Sequence, residues 1–422
     1  MPTADVVVIG AGLAGLSCAA ELSERGARVF LAAKGMATTH WTHGGLDVAA
    51  PPGARTSRDG ARVLSRIDGH PYALLDDALV PAIGGHLARL GRAGLAFSGS
   101  LDAPLVPIPT AIGALRPAAI LPDAQASALE AWSGDGLLLV GYRRYRDVWA
   151  SYSARNLARA DWPGGPRRIQ AVEIDLPGAD ELNNLNARTL GLLFDRPAWR
   201  QRALRSVADA MPPGAWRIGL PATIGVADHA AALEDARRIL GRHVFEIPSL
   251  PPSVPGMRLY EALRSTILGA GARMQVGFEV VRVDVEGRRI AAIHTGAATR
   301  TLRLAADEFV LATGGIGGEG IRAEPDGTLV ERVFGLHVEA PSRETWFSDD
   351  PLVGHPIEAL GLRTDAELRP LTAGGEPAFD NLRAIGSALA GMHYLAERCG
   401  DGVALASAHR AAGALATGRL AA

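Results

Sequence analysis

At 422 residues, 48% hydrophobic and with a formal net charge of -2, the chain has apolar material for two or three ordinary cores and no global field to draw nucleic acid or anionic lipid. Its two cysteines, Cys18 and Cys399, are too few and too isolated for a disulfide framework, and no CxxC or Cys/His ligand spacing accompanies them, so no metal or iron-sulfur site is expected. No run approaches the ~18 apolar residues of a membrane span, and the first apolar run enters a glycine turn with no basic leader before it; a cytoplasmic chain without a direct membrane span is expected.

In chain order, Asp5 to Ile9 reads as a short buried parallel strand. Gly10-x-Gly12-x-x-Gly15 follows it into an Ala/Leu-rich helix that stops near Gly26, and Arg28 to Ala32 makes the next strand. Residues 5–34 thus form one β-α-β unit of about the 30 residues such a unit needs, the context in which this glycine spacing has meaning. Gly10 permits the tight turn, Gly12 lets a phosphate approach the backbone, Gly15 lets helix and strand pack, and the helix N-terminus offers unpaired N–H groups. The second strand ends in Leu31-Ala32-Ala33-Lys34, where a dinucleotide site usually carries a carboxylate for the adenosine ribose. Ala33 removes that acceptor and Lys34, the only lysine in the chain, adds a positive charge suited to phosphate, so the residues favour FMN, with FAD as the alternative.

His40 and His43, with Gly44 and Gly45, follow in "THWTHGGLD", and a neutral imidazole there could take a hydroxyl proton. The breaker-rich 51–60 reads as a loop leaving this unit. Strands at "GLLLVGY", "RIQAVEID" and "AWRIGLPA", with helices over about 147–160, 198–210 and 229–241, form a second α/β layer. A Pro-rich linker leads to a helix from about Gly256, and residues 273–305 alternate as antiparallel strands about Glu286-Gly287. "DEFVLATGG" is a buried strand running into Thr313, Gly314 and Gly315. "NLRAIGSALAG" supplies one more strand end at Gly386 and Ser387, followed by a Gly/Ala-rich helix. Arg116, Arg258 and Arg369 are candidates for gripping a phosphate or carboxylate, Arg258 foremost. An N-terminal glycine loop paired with two distant strand ends is the pattern of the large, Rossmann-like three-layer flavoprotein fold. We expect a discontinuous flavin-binding domain over 1–60 and 251–422 and an inserted α/β cap or substrate domain over 61–250.

The segments "GLAGL", "GGLDV", "HPYALL", "LPPSVPGMRL", "RTDAELRP", "NLRAIGSALAG" and "CGDGVALASA" occur in this order. Together they resemble the B subunit family of anaerobic glycerol-3-phosphate dehydrogenase over nearly the whole chain. His337 in "VFGLHV" and the segment "GMHYLAERC" depart from the pattern. The resemblance implies an FMN flavoprotein subunit of a respiratory complex that converts sn-glycerol 3-phosphate to glycerone phosphate and passes electrons toward quinone. It also implies a catalytic flavoprotein A subunit and a membrane-anchored iron-sulfur C subunit as partners, and hence a location peripheral to the cytoplasmic membrane. Two other readings stay open. A self-standing flavin oxidoreductase of another small substrate would turn over without partners, and a non-catalytic scaffold subunit would hold its flavin loosely or not at all.

Overall fold

The computed structural model describes residues 4–178, 185–297, 300–350 and 353–420. Strand β1 (Ala4–Ile9), helix α1 (Leu13–Glu24) and strand β2 (Val29–Ala33) form the first unit of structure. Every residue of both strands is buried, as parallel strands covered on both faces must be. Helix α2 spans Tyr72–Arg92. Four further strands, β3 (Gly136–Tyr142), β4 (Ile169–Ile174), β5 (Trp216–Pro221) and β6 (Val244–Ile247), alternate with helices α3 (Ala150–Leu157), α4 (Pro197–Ala210) and α5 (His229–Leu240). Helix α6 (Val254–Gly269) precedes β7 (Arg273–Val276), β8 (Glu279–Glu286), β9 (Arg289–Ala297) and β10 (Arg300–Leu311). β11 (Leu382–Ala384) and helix α7 (Gly400–Leu420) close the chain.

These elements divide into two compact units, Met1–Thr38 with Asp47–Arg89 and Ala262–Ala422, and Thr39–Leu46 with Leu90–Glu261. The first holds a sheet ordered β7-β2-β1-β10-β9-β8, with β11 on the other side of the C-terminal half of β10. Strands β7, β2, β1, β10 and β11 run parallel; β10, β9 and β8 form an antiparallel meander. Leu31, Val8 and Val310 stand side by side across its centre, and α7 packs along α1. α1 can be buried over Ala14 to Ser23 because most of that stretch is small. The second unit is an all-parallel sheet, β6-β5-β3-β4, with its own core around Leu138, Leu139, Ile218, Phe194 and Phe245.

The flavoprotein α/β fold is therefore present, with differences in its parts. Residues 61–89, expected in the inserted domain, belong to the first unit. The 51–60 loop does not leave it, since Thr56 caps a helix over Ser57–Leu64 through the Asp59 N–H, the Tyr72 hydroxyl donates to Val48 O, and Arg89 is paired with Glu24. Residues 251–261, expected with the flavin domain, fall in the second unit, where the Ser253 N–H donates to His40 O and Arg258 meets Glu246. The antiparallel set begins at β8. β7 instead pairs in parallel with β2, because the helix before it is the crossover that parallel neighbours require.

Candidate functional site

In the first unit the predicted glycine turns meet one another. Gly10 has φ +116°, and a Cβ there would lie 2.3 Å from Ala312 O, at the exit of β10. A Cβ on Gly15 would lie 2.1 Å from Gly10 O, so helix and turn touch backbone to backbone. Gly314, at φ +83°, and Gly315 close on Ser387, whose carbonyl would sit 2.8 Å from a Cβ on Gly315. Gly386, at φ +70°, meets the Ala14 methyl and donates its N–H to Ser407 Oγ on α7 at 2.9 Å. Gly12 differs from its neighbours in that a Cβ would make only ordinary contact with Ala37, at 3.5 Å. It is the N-cap of α1, with no side-chain capping bond and no acidic residue in the first turn. The Thr313 hydroxyl is buried and has no hydrogen-bond partner. An uncapped helix start, a glycine cradle and an orphaned hydroxyl together fit a phosphate-bearing cofactor.

At the end of β2, Ala33 is buried and Lys34 projects to an ion pair, Nζ to Glu319 Oε2 at 2.8 Å. Arg332 Nη1 lies 3.6 Å from the same oxygen. The Lys34 ammonium holds the Glu319 carboxyl below the usual carboxylate range.

The remaining candidates lie in the second unit, except Arg369. Burial lowers the pKa of the His40 ring, with Glu261 opposing; the ring meets Tyr260 edge-on at 5.1 Å, and its buried Nε2 has no hydrogen-bond partner. His43 accepts the Gly45 N–H at Nδ1, 3.0 Å. That bond fixes the neutral ring's proton on Nε2 and removes the lone pair a base would need there, so the structure corrects the base role for His43. Gly44 and Gly45 are confined by Pro255 and Leu121, each 2.5 Å from a Cβ that would be built there. Packing at both positions and the left-handed backbone of Gly44, at φ +99°, account for their glycines.

Arg258, foremost candidate for the substrate phosphate, is buried and committed. It forks onto Glu246 at 2.6 and 2.9 Å and donates to Gly225 O and Ile224 O at 2.8 and 2.9 Å. A guanidinium so occupied inside its unit is a strut and not a phosphate grip. Arg369 is likewise taken by Asp365, 2.7 Å away. Arg116 lies on a two-stranded ribbon opposite Ile108.

One arrangement lay beyond the reach of sequence spacing. Among the described residues, His70, Glu397 and Cys399 bring ligand-type atoms within 4.8 Å of one another, all buried. The Tyr72 N–H donates to His70 Nδ1 at 3.0 Å, which leaves the proton on Nε2 to donate to Glu397 Oε2 at 3.3 Å. Cys399 Sγ, its thiol driven up by burial and by the Glu397 charge, donates to the same oxygen at 3.4 Å, and the His393 N–H adds a third bond at 2.9 Å. The trio is a hydrogen-bond node whose donors already converge on one carboxylate. Residues 327 positions apart in sequence give no local signal of it.

A model of the FAD-binding-domain family matches residues 5–403. The chain is 32% identical over 423 residues to the probable B subunit of anaerobic glycerol-3-phosphate dehydrogenase from Halobacterium salinarum, covering 96% of each. It is 31% identical over 423 residues to the B subunit of anaerobic glycerol-3-phosphate dehydrogenase from Pectobacterium atrosepticum, again covering 96% of each. Among solved structures, 3-ketosteroid Δ1-dehydrogenase from Sterolibacterium denitrificans aligns with a TM-score of 0.43 at 13% identity, covering 99% of this chain and 100% of that one. The family match supports FAD, and the step from Ala33 to FMN finds no support in it. The missing carboxylate takes away one charge-assisted acceptor, about 1.5–3 kcal/mol, and leaves intact the phosphate cradle that either flavin would use.

Proposed function

Because the chain belongs to the B subunit family of anaerobic glycerol-3-phosphate dehydrogenase, we propose that it is the FAD-bearing subunit of a complex that oxidises sn-glycerol 3-phosphate to glycerone phosphate. The observation that carries the reading is the match to relatives of that name over 96% of the chain. Bound FAD would supply a two-electron acceptor for the hydrogen on C2 of the substrate. The start of α1 and the Gly10 to Gly15 turn would hold its phosphates, with Thr313, Gly314, Gly315, Gly386 and Ser387 along its length. His40 is the residue we assign to the hydroxyl proton, since burial favours the neutral form of its ring and its Nε2 has no hydrogen-bond partner. Electrons would pass onward toward quinone through a catalytic A subunit and an iron-sulfur C subunit. Through them the chain would lie at the cytoplasmic membrane, since no helix among the described residues is long and apolar enough to cross it.

The test is to purify the chain, release its flavin by heat and identify it by chromatography and mass, then assay glycerol 3-phosphate with an artificial acceptor. Stoichiometric FAD is expected, with slow turnover alone and fast turnover once partner subunits are added. A colourless chain would favour the scaffold reading. Turnover of a different substrate without partners would favour a self-standing oxidoreductase.

A further inference from the structure

We propose that Glu319 supplies the carboxylate that β2 lacks, and is the acceptor for the adenosine ribose hydroxyls of FAD. The proposal rests on the reading of the first unit as an FAD site. β2 ends at buried Ala33, so no carboxylate can come from the strand itself. The sheet order is β2, β1, β10, and Ala32, Ile9 and Leu311 stand in register across it. Glu319 follows β10 by eight residues and yet meets Lys34 at the end of β2, so the turn that carries it and the ion pair together cross from β10 to β2, with the β1 strand between them. A carboxylate is thus delivered from the far side to the strand end where the fold's usual one is missing.

The turn that delivers it is specified closely. Gly318 and Gly320 fold back onto the Thr313–Gly314 backbone, where Cβ atoms would lie 2.8 Å from Thr313 O and 2.0 Å from Gly314 O. Between them Glu319 sits at φ +59°, a left-handed backbone that costs a non-glycine residue on the order of 1 kcal/mol. A strained non-glycine in a run of glycines points to a demand for its side chain. Stability does not supply that demand, because the pair with Lys34 is exposed on both sides, at 56% and 67%, and such pairs hold little. The contact that each cation makes with this carboxylate, at 2.8 and 3.6 Å, is to Oε2. Lys34 and Arg332 would then fix the carboxylate while Oε1 accepts from the ribose.

The experiment is reconstitution of the flavin-stripped full chain with FAD and, separately, with FMN, reading dissociation constants from flavin fluorescence and apoprotein stability from thermal melting. Glu319→Gln is expected to weaken FAD about ten- to a hundredfold, as loss of a charge-assisted acceptor does, with FMN affinity and melting unchanged. Adding Ala33→Glu to Glu319→Gln should restore FAD. Unchanged FAD affinity in Glu319→Gln would overturn the proposal. So would equal weakening of FAD and FMN, which would make Glu319 a shaper of the turn. A wild-type chain that binds neither flavin would instead sink the FAD reading beneath it.

Discussion

Gly10 and Gly12 belong to one turn, and their surroundings separate folding from binding. A side chain on Gly10 collides with Ala312 O and with its own left-handed backbone, so Gly10→Ala should lose stability and flavin together. Gly12 has room on the protein side, so Gly12→Val should melt within a degree or two of wild type and yet lose its flavin, because the added methyls take the space where phosphate meets backbone. Absorbance at 450 nm beside a thermal melt reads both, and a yellow Gly12→Val protein would show the turn to be structural only. Arg258 has the opposite character. Removing it strands the Glu246 carboxylate, whose side chain is 0% exposed, and two backbone carbonyls, so Arg258→Ala should cost about 3–5 kcal/mol in urea unfolding. Flavin content per folded molecule should not change.

At the scale of elements, α2 carries the clearest acid sensitivity. His86 is wholly buried, neither ring nitrogen has a hydrogen-bond partner, and burial, aided by Arg89, pushes its pKa down to about 3. Between that value and the ordinary 6.5, the unfolded chain binds a proton that the folded chain refuses. Stability therefore falls as pH drops through this window, by up to about 1.4 kcal/mol per pH unit. His86→Leu should flatten the acid limb of unfolding free energy measured from pH 7 to pH 4, and parallel curves for the two proteins would refute the assignment. The β-α-β unit, the strand from Gly136 and the helix over 197–210 were legible because a glycine turn, an apolar run or, for the helix, apolar residues at helical spacing mark each of them locally. β7 was misread as antiparallel because a four-residue strand shows period-two alternation whichever way its neighbour runs. The glycine cradle was legible for the same local reason. The Glu246 partner of Arg258, the Gly45 bond to His43 and the His70–Glu397–Cys399 node were not, since each depends on what a side chain meets in space. A buried salt bridge and a phosphate grip begin from the same arginine.

At the scale of the whole molecule, the near-neutral charge and the lack of any membrane-spanning helix among the described residues bear on how the chain would reach a lipid-borne acceptor. Produced alone and mixed with anionic vesicles at 0.15 M salt, it should stay in the supernatant. Produced together with the partner subunits proposed above, it should sediment with membranes, and binding to bare vesicles would argue against partner-mediated attachment. The solitary lysine gives the molecule an unplanned property. A protease that cuts only after lysine has a single target in all 422 residues, the bond following Lys34, at the rim of the cradle. Cleavage there would sever residues 1–34 from the rest, while β1 beside β10 and β2 beside β7 would keep the pieces associated through backbone hydrogen bonds. The nick would show on a denaturing gel and be silent on a sizing column. Because Lys34 is exposed, the rate of nicking would report how readily the bond at that rim fits a protease's cleft.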